Sequence, residues 1–425
     1  MRTQEAVSAA ARAGELDAAL AALYGTEGVT SGAERLATLA ERHAARFGAR
    51  GVAAFSAPGR VELGGNHTDH QRGLVLAAAV SADILAVASP NDKAVVRIVS
   101  EGFPDTVLDL RSLAPRADER GATAALVRGC AAGIASRGGV PRGFDACMVS
   151  DVPSGGGLSS SAAFEVLTAG IFSAFGAAGR FSPVELAQIG QYAENVYFGK
   201  PCGLMDQCAS ASGGVVRIDF RDPGNPAPQR VPFDLAACGH ALCAVDSGAG
   251  HADLTDEYAA IPAELAAVCA FFGKDVLREV DEAAFYENLP SLRAAAGDRA
   301  VLRAMHVFDE NRRVAAEADA LRAGDFAAFL RQVRASGDSS ALYLQNVTPC
   351  GAVREQALAV ALAVCRRALA GDGACRVHGG GFAGAALAFV PFGRLAAFRA
   401  DVERVLGRGA CRVLRPREQG FVRLA

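Results

Sequence analysis

A glycine-rich stretch between a predicted strand and an apolar helix most constrains how this chain of 425 residues can fold. Alternating apolar residues predict a strand over 144–152, and apolar residues at helical spacing predict a helix over 160–176. The glycines let backbone N–H groups turn inward, and the first helical turn adds unpaired donors and partial positive charge. The stretch therefore predicts an anion site, named here the phosphate loop (152–163). Its candidate binding residues are Gly155, Gly156, Gly157, Leu158, Ser159, Ser160 and Ser161.

The serines of the phosphate loop allow two interpretations. Their hydroxyls can cap the helix, or they can reach a metal ion that bridges phosphates. The loop has no lysine of the Walker A pattern, so it is not a P-loop of that class. A flexible linker capped by serines is the alternative, but the position between a strand and a helix favours a phosphate loop.

Strands and helices intermix along the chain without strict alternation, which favours a two-domain α+β fold. A stretch rich in Pro and Gly, 222–232, is the best candidate boundary. We therefore expect an N-terminal domain (1–225), which begins with a helical extension (1–45), and a C-terminal domain (226–425). Strands are expected at 53–56, 73–80, 86–89, 95–100, 241–246, 385–390 and 411–424, and further helices at 34–47, 122–136, 253–272, 298–324 and 353–370.

The composition excludes several classes of protein. A hydrophobic fraction of 51% and a charged fraction of 21% exclude disorder, and a net charge of −3 without a basic run argues against nucleic-acid partners. No apolar run of about 18 residues is free of charges or helix breakers, so we expect no membrane partner. Acidic residues near the N-terminus argue against a transit peptide and favour the cytoplasm. Eleven cysteines without a C-x-x-C pair predict reduced thiols and no zinc site.

Polar side chains crowd between glycines in residues 57–73, named here the polar segment. They are Arg60, Glu62, Asn66, His67, Asp69 and His70. The segment has no apolar residues at helical spacing, so these side chains are not the solvent-facing side of an amphipathic helix. An apolar run follows directly. Such a segment suits hydrogen bonding to a small polar molecule at the edge of a core. A solvated turn is the alternative, but it would carry interchangeable residues.

Two further segments are candidates. Residues 194–207 are named here the acid segment. Asp206 lies among apolar residues, where a carboxylate needs either a charged or hydrogen-bonding partner or a functional role. Glu194 could hold a divalent cation. A helix cap and a surface acid are the respective alternatives, and Lys200 is interpreted as a solvated charge. In the glycine turn (379–384), a match to G-x-G-x-x-G leads into a strand rather than a helix, so it is a weak dinucleotide signal.

These segments, in this order and at these separations, resemble the GHMP small-molecule kinases, and within them the galactokinases. Galactokinases typically read Arg-Val-Asn-Leu-Ile-Gly-Glu-His-Thr-Asp-Tyr in the polar segment; this chain keeps Arg60, His67, Thr68 and Asp69. The resemblance extends from Phe55 to the C-terminus. It implies an N-terminal α+β domain and a C-terminal ferredoxin-like domain, with the active site between them and the glycine turn beside the phosphate loop.

The resemblance also implies an activity, which is ATP-dependent phosphorylation of the anomeric hydroxyl of galactose. Asp206 would accept or orient the hydroxyl proton, and Arg60 would stabilise that carboxylate and the transferred group. Ser160 and Glu194 would hold Mg²⁺. The partners would be a sugar and ATP alone, and a monomer is the default expectation.

The sugar site implied by the resemblance comprises Asn66, His67, Asp69, Gly203 and Tyr258. Asp69 would receive hydrogen bonds from two ring hydroxyls, since a carboxylate accepts several at once.

The chain also departs from the family pattern. Asn66 replaces a glutamate that lies near the 6-position of the sugar in the family, and Glu62, Gly64, His70 and Ala383 are further departures. A neutral residue 66 would not repel a 6-carboxylate, so galacturonate or another C6-altered galactose is an alternative substrate. A non-catalytic sugar and ATP sensor, an NAD-dependent oxidoreductase and a metal hydrolase are weaker alternatives, because the phosphate loop and Asp206 are present.

Overall fold

The computed structural model describes residues 1–153, 156–250 and 254–425, and its elements follow the apolar periodicity of the sequence. The helices are α1 (Gln4–Arg12), α2 (Asp17–Tyr24), α3 (Val29–Phe47), α4 (Thr123–Ser136), α5 (Ser160–Gly176), α6 (Pro183–Tyr192), α7 (Met205–Ser212), α8 (Thr255–Phe271), α9 (Glu282–Glu287), α10 (Leu289–Ala296), α11 (Asp298–Arg322), α12 (Phe326–Ser339), α13 (Ala357–Leu369) and α14 (Leu395–Leu406). Single π-helical turns cover Ala193–Phe198 and Ser340–Leu344.

The strands form two sheets in the described part of the chain. They are β1 (Arg2–Thr3), β2 (Gly51–Gly64), β3 (Leu74–Pro90), β4 (Val95–Ser100), β5 (Thr106–Asp109), β6 (Phe144–Ser150), β7 (Val215–Asp219), β8 (Ala227–Arg230), β9 (His240–Asp246), β10 (Ala374–His378), β11 (Ala385–Pro391), β12 (Cys411–Leu414) and β13 (Val422–Arg423). The larger sheet has nine strands with the central order β1-β2-β3-β6-β4-β5; β13 pairs with β2, β7 with β3, and β8 with β7. Only β4 and β6 are parallel among these described pairs.

The smaller sheet is antiparallel with the order β10-β11-β9-β12. This order, with helices between β9 and β10 and α14 between β11 and β12, is that of a ferredoxin-like domain. The predicted α+β architecture with a C-terminal ferredoxin-like sheet is therefore confirmed. The predicted boundary after residue 225 stays a prediction: the larger sheet takes β8 from beyond it and β13 from the end of the chain.

Three local predictions are wrong. The strand expected over 411–424 is interrupted, because β12 ends at Leu414 in the smaller sheet and β13 begins at Val422 in the larger sheet. The stretch 222–232 was expected to be a loop, but it contains β8, which pairs with β7. Separate strands were expected at 73–80 and 86–89, but β3 is one strand of 17 residues. It continues through Asp83 because that buried carboxylate is paired: it accepts hydrogen bonds from Tyr24 (2.7 Å), Arg35 (3.1 Å) and Arg417 (3.3 Å).

The helical extension packs on one face of the larger sheet. Apolar residues of α1 and α3, such as Val7 and Leu36, share a cluster with Val52 and Leu85 of the sheet. The other face of the sheet carries α4 to α7, whose apolar stripes form the main core. In the described residues no helix is long and apolar enough to cross a membrane.

Candidate active site

The polar segment and the acid segment meet at an ion pair. Arg60 lies where a bulge interrupts the pairing of β2 with β3, and bulges re-aim side chains beside many active sites. Its Nε donates to Oδ1 of Asp206 (2.7 Å), and its Nη1 donates to the carbonyl oxygen of Gly157 (2.5 Å). Arg60 is 5% exposed. The guanidinium of Arg60 therefore connects the polar segment with the acid segment and the phosphate loop.

Asp206 lies in the first turn of α7, where the partial positive charge of the helix end favours a carboxylate. Burial acts to raise its pKa, but the charge of Arg60 and hydrogen bonds from Arg60 and Ser159 outweigh burial and lower the pKa of Asp206. The group is thus a carboxylate at neutral pH. It can accept a proton or a hydrogen bond, but it cannot donate one.

The phosphate loop ends in a helix start without a side-chain cap. Ser159 is the N-cap residue of α5, with φ 57°, but its hydroxyl donates to Oδ2 of Asp206 (2.5 Å) instead of accepting from the first turn. Within the part of the chain that the structure describes, the first N–H groups of α5 have no side-chain acceptor, so they can bind an anion. Leu158 accepts a hydrogen bond from the Arg60 N–H (3.1 Å). Gly155, which was also predicted to bind the nucleotide, lies outside the described residues.

A carboxylate and a hydroxyl meet at the predicted metal site. Glu194 is 3% exposed on the π-helical turn after α6, and its Oε1 accepts from Ser161 Oγ (3.3 Å). Gln207 donates to Glu194 (3.0 Å) and to Glu165 (2.9 Å), and so it holds the two carboxyl groups together. The structure thus pairs Glu194 with Ser161, whereas Ser160 was predicted.

These donors fit Mg²⁺, which prefers oxygen ligands and usually takes one or two carboxylates plus phosphate oxygens and water. No group of three or more His, Cys, Asp or Glu that could hold a metal lies in the described ranges. Lys200, interpreted as a solvated charge, is exposed, and its Nζ lies 3.5 Å from Glu194.

Asp69 and Gly203, two of the residues predicted for the sugar site, are in direct contact. A Cβ built on Gly203 would lie 1.9 Å from Oδ2 of Asp69, so only glycine leaves room for this carboxylate. His67 follows in the same segment, and its Nε2–H donates to the carbonyl oxygen of Gly380 (2.9 Å), which leaves Nδ1 as the acceptor of the ring. Burial lowers the pKa of His67 to about 4, so the ring is neutral.

The glycine turn contacts the other predicted motifs. Tyr258 of α8 packs on Gly380, and its hydroxyl donates to the carbonyl oxygen of Gly381 (2.7 Å). The two residues that flank the turn, His378 and Ala385, lie against Gly157 of the phosphate loop. The turn therefore joins the sugar residues to the phosphate loop, and it has no dinucleotide geometry because it connects two antiparallel strands.

Asn66 is a junction between elements. Its Nδ2 donates to Glu62 (3.1 Å) and to the carbonyl oxygen of Gly379 (2.6 Å), and its Oδ1 accepts from Asn346 (2.8 Å) and Ser340 (3.3 Å). The side chain is fully buried. All the hydrogen-bonding positions of the amide are thus used within the protein, so the side chain has no free group for the sugar contact that was predicted.

Buried ionisable residues beneath the polar segment were not predicted from the sequence. Arg376 of β10 donates to Glu62 (2.6 Å), and Glu310 of α11 accepts from the Gly65 N–H (3.0 Å). A Cβ on Gly64 would lie 1.8 Å from a carboxylate oxygen of Glu317, so Gly64 makes room for that side chain. The sequence around Arg376 could have indicated a buried ion pair, since a charge within a short apolar strand needs a partner. No feature of the sequence around Asn346 predicted its contact with Asn66.

Two family profiles match the chain. Residues 41–90 match the galactokinase galactose-binding signature, and residues 125–214 match the GHMP kinases N terminal domain. A galactokinase of Streptomyces coelicolor is 34% identical over 357 residues, which cover 83% of this chain and 88% of that protein. The chain belongs to the galactokinase family of GHMP kinases. It is therefore a sugar kinase, and ATP is its phosphoryl donor.

Further relatives support the assignment of the chain to this family. Human galactokinase is 36% identical over 306 residues, which cover 70% of this chain and 76% of that one. The crystal structure of a Lactococcus lactis galactokinase complexed with galactose aligns with a TM-score of 0.76 and 25% identity over 90% of this chain and 98% of that one. A mevalonate kinase at 13% identity and a TM-score of 0.59 shares the fold. The predicted family and architecture are confirmed.

Proposed function

We propose that the protein transfers the γ-phosphoryl group of ATP to the anomeric hydroxyl of galactose, giving galactose 1-phosphate. The galactokinase relatives support this substrate. The observation that carries the proposal is the Arg60–Asp206 pair, which Gly157 and Ser159 tie to the phosphate loop. A carboxylate, a cation and a helix N-terminus that converge on one point suit phosphoryl transfer, where most catalysis is positioning and charge stabilisation.

Asp206 orients the sugar hydroxyl and accepts its proton. Its pKa is lowered, so it is a weak base in the ground state, and it takes the proton as the bond from the hydroxyl oxygen to phosphorus forms. Arg60 keeps the carboxylate ionised and contributes positive charge beside the transferred group. Gly156 to Ser161 offer backbone N–H groups to the phosphates.

Mg²⁺ would be held by Glu194 together with a serine hydroxyl of the first turn of α5, either Ser160 or Ser161. When bound, the ion would neutralise negative charge on the phosphates of ATP. Gln207 and Glu165 keep the carboxylate of Glu194 in place through the amide bridge described above.

The sugar site is proposed to comprise Asp69, His67, Gly203 and Tyr258. Asp69 accepts from two ring hydroxyls, and Nδ1 of His67 accepts from a third. Asn66 supports the polar segment through its buried hydrogen bonds. Since its amide is already satisfied, the replacement of the family glutamate at this position is no argument for a 6-carboxylate substrate.

We further propose that the protein is cytoplasmic, which the acidic N-terminal residues support, and we keep a monomer as the default state. Residues 1–225 and 226–425 are proposed as the two domains, with β8 and β13 completing the N-terminal sheet.

An ADP-release assay tests the function. Galactose, N-acetylgalactosamine, galacturonate, arabinose and glucose are supplied with Mg-ATP, and phosphorus NMR identifies the phosphorylated position. We expect 1-phosphorylation of galactose and its loss when EDTA replaces Mg²⁺. Turnover confined to galacturonate would keep the mechanism and reject the substrate. Tight ATP and galactose binding without turnover would identify a sensor instead of a kinase.

A further inference from the structure

His378 lies at the edge of the candidate site without a role in the proposed mechanism. It is the last residue of β10, it pairs with Ala385 of β11, and the glycine turn runs between the two. Its ring lies directly against the phosphate loop: a Cβ built on Gly157 would be 3.0 Å from Cδ2 and 3.6 Å from Nε2 of His378. Gly157 also has a positive φ of 77°. A glycine at residue 157 is therefore what allows the imidazole to approach the loop.

The His378 ring makes no hydrogen bond of good geometry with the residues that the structure describes, and among them the backbone of Gly157 lies near enough to a ring nitrogen that it acts to raise the pKa of the ring. His378 is 2% exposed, and neither Nδ1 nor Nε2 has a hydrogen-bond partner there. Burial, followed by the charges of Arg60 and Arg376, lowers the pKa of His378 to about 3. The ring is thus neutral, with one N–H donor and one acceptor nitrogen. Buried polar groups are nearly always satisfied in folded proteins, so an unpaired imidazole beside a ligand site points to a partner that arrives with the ligand.

The surroundings identify the chemistry of that partner. The carbonyl oxygen of Gly157 already accepts from Arg60, whose Nε binds Asp206, so the ring lies next to the proposed point of transfer. The uncapped N-terminus of α5 attracts anions to the same place. An N–H donor close to these groups suits a phosphate oxygen.

We propose that His378 binds the nucleotide: its N–H donates a hydrogen bond to a phosphate oxygen of ATP held by the phosphate loop. The inference rests on the proposed function in that ATP is the ligand, and it is independent of which sugar is phosphorylated. A purely structural role, in which the ring only fills space beneath Gly157, is the competing explanation.

Two variants separate these explanations. His378→Phe keeps a planar ring without nitrogen atoms, and His378→Gln keeps an N–H donor. Calorimetry measures the Kd for Mg²⁺ with the non-hydrolysable analogue AMP-PNP, and separately the Kd for galactose. Because hydrogen bonds to charged groups are among the stronger ones, we expect His378→Phe to weaken AMP-PNP binding about tenfold or more. His378→Gln should stay within about threefold of wild type, and galactose binding should be unchanged in both. His240→Phe, at a partly exposed histidine on β9, is the control.

Nitrogen-15 NMR of the wild-type protein supplies a readout that does not depend on the folding of a variant. The His378 ring signals are assigned by their absence in His378→Gln, and they should move on addition of AMP-PNP but not of galactose. Wild-type AMP-PNP affinity in His378→Phe, or ring signals that AMP-PNP leaves in place, would overturn the proposal. If the wild-type protein fails to phosphorylate galactose while AMP-PNP still moves these signals, the proposed substrate is wrong and the role of His378 stands.

Discussion

Asn66 shows how far a single residue can be interpreted from the sequence. The local motif identified Arg60, Asp69 and the carboxylate Asp206 as candidates, and the structure brings Arg60 together with Asp206, and Asp69 with Gly203. The same motif placed Asn66 at the sugar. Its partners Ser340, Asn346 and Gly379 lie more than 270 residues further along the chain, so no local pattern could indicate that its amide is occupied.

This role of Asn66 predicts the behaviour of Asn66→Asp. The new carboxylate would lie beside Glu62 and would lose the donor to Gly379, so the free energy of unfolding should fall by about 2–4 kcal/mol. The ratio of kcat/KM for galactose to that for galacturonate should not change, because no atom of the side chain is free to contact either sugar. Urea unfolding and initial rates measure both quantities, with the exposed Asn225→Asp as control. A tenfold shift of the ratio towards galactose would restore Asn66 as a selectivity residue.

At the scale of elements, most helices and strands were predictable because their apolar spacing is regular. Where a predicted element was wrong, contacts with residues distant in the sequence determined the secondary structure. The long strand β3 crosses Asp83 because α2, α3 and residue 417 supply donors to that carboxylate, and β8 forms within a Pro- and Gly-rich stretch because the edge of β7 is free to pair. Pairing across the chain is not encoded in local composition.

The start of α5 gives a prediction with an internal control. Ser159 is the N-cap residue, but its hydroxyl binds Asp206, whereas Ser182 at the start of α6 forms a complete capping box with Glu185. Ser159→Ala should therefore lower kcat about tenfold and leave thermal stability nearly unchanged. Ser182→Ala should do the opposite and cost about 1 kcal/mol of stability with unchanged kcat. Equal loss of stability in the two variants would show that Ser159 acts as a cap.

Buried titratable groups should make the stability of the whole molecule depend on pH in mild acid. Burial is the first cause that lowers the pKa of four histidines, His43, His67, His306 and His378. Between the ordinary histidine value of about 6.5 and these lower values, the unfolded chain binds protons that the folded protein does not. These histidines therefore contribute a loss of stability as the pH falls from about 6.5 towards 4, by up to about 1.4 kcal/mol per pH unit for each histidine. Glu62, Glu165 and Glu317 contribute in the opposite direction, because burial raises the pKa of each of these carboxyl groups.

Urea unfolding at pH 7.5, 6.5 and 5.5 measures this dependence. His43, far from the site, bonds with Gln4 and the carbonyl oxygen of Asp145, so His43→Gln should reduce the slope without affecting catalysis. A dependence on pH that is the same in His43→Gln as in the wild-type protein would mean that the His43 ring is protonated in the folded protein.

The central claim is that Asp206 acts on the hydroxyl that receives the phosphoryl group. Steady-state rates and calorimetric binding of galactose and AMP-PNP to Asp206→Asn test it, with Asp222→Asn in an exposed turn as control. We predict that kcat falls about 100-fold or more, while both ligands bind within a few-fold of wild type, because the substitution keeps the size of the side chain and removes a group that acts in the transition state. Turnover within a few-fold of wild type would contradict the account.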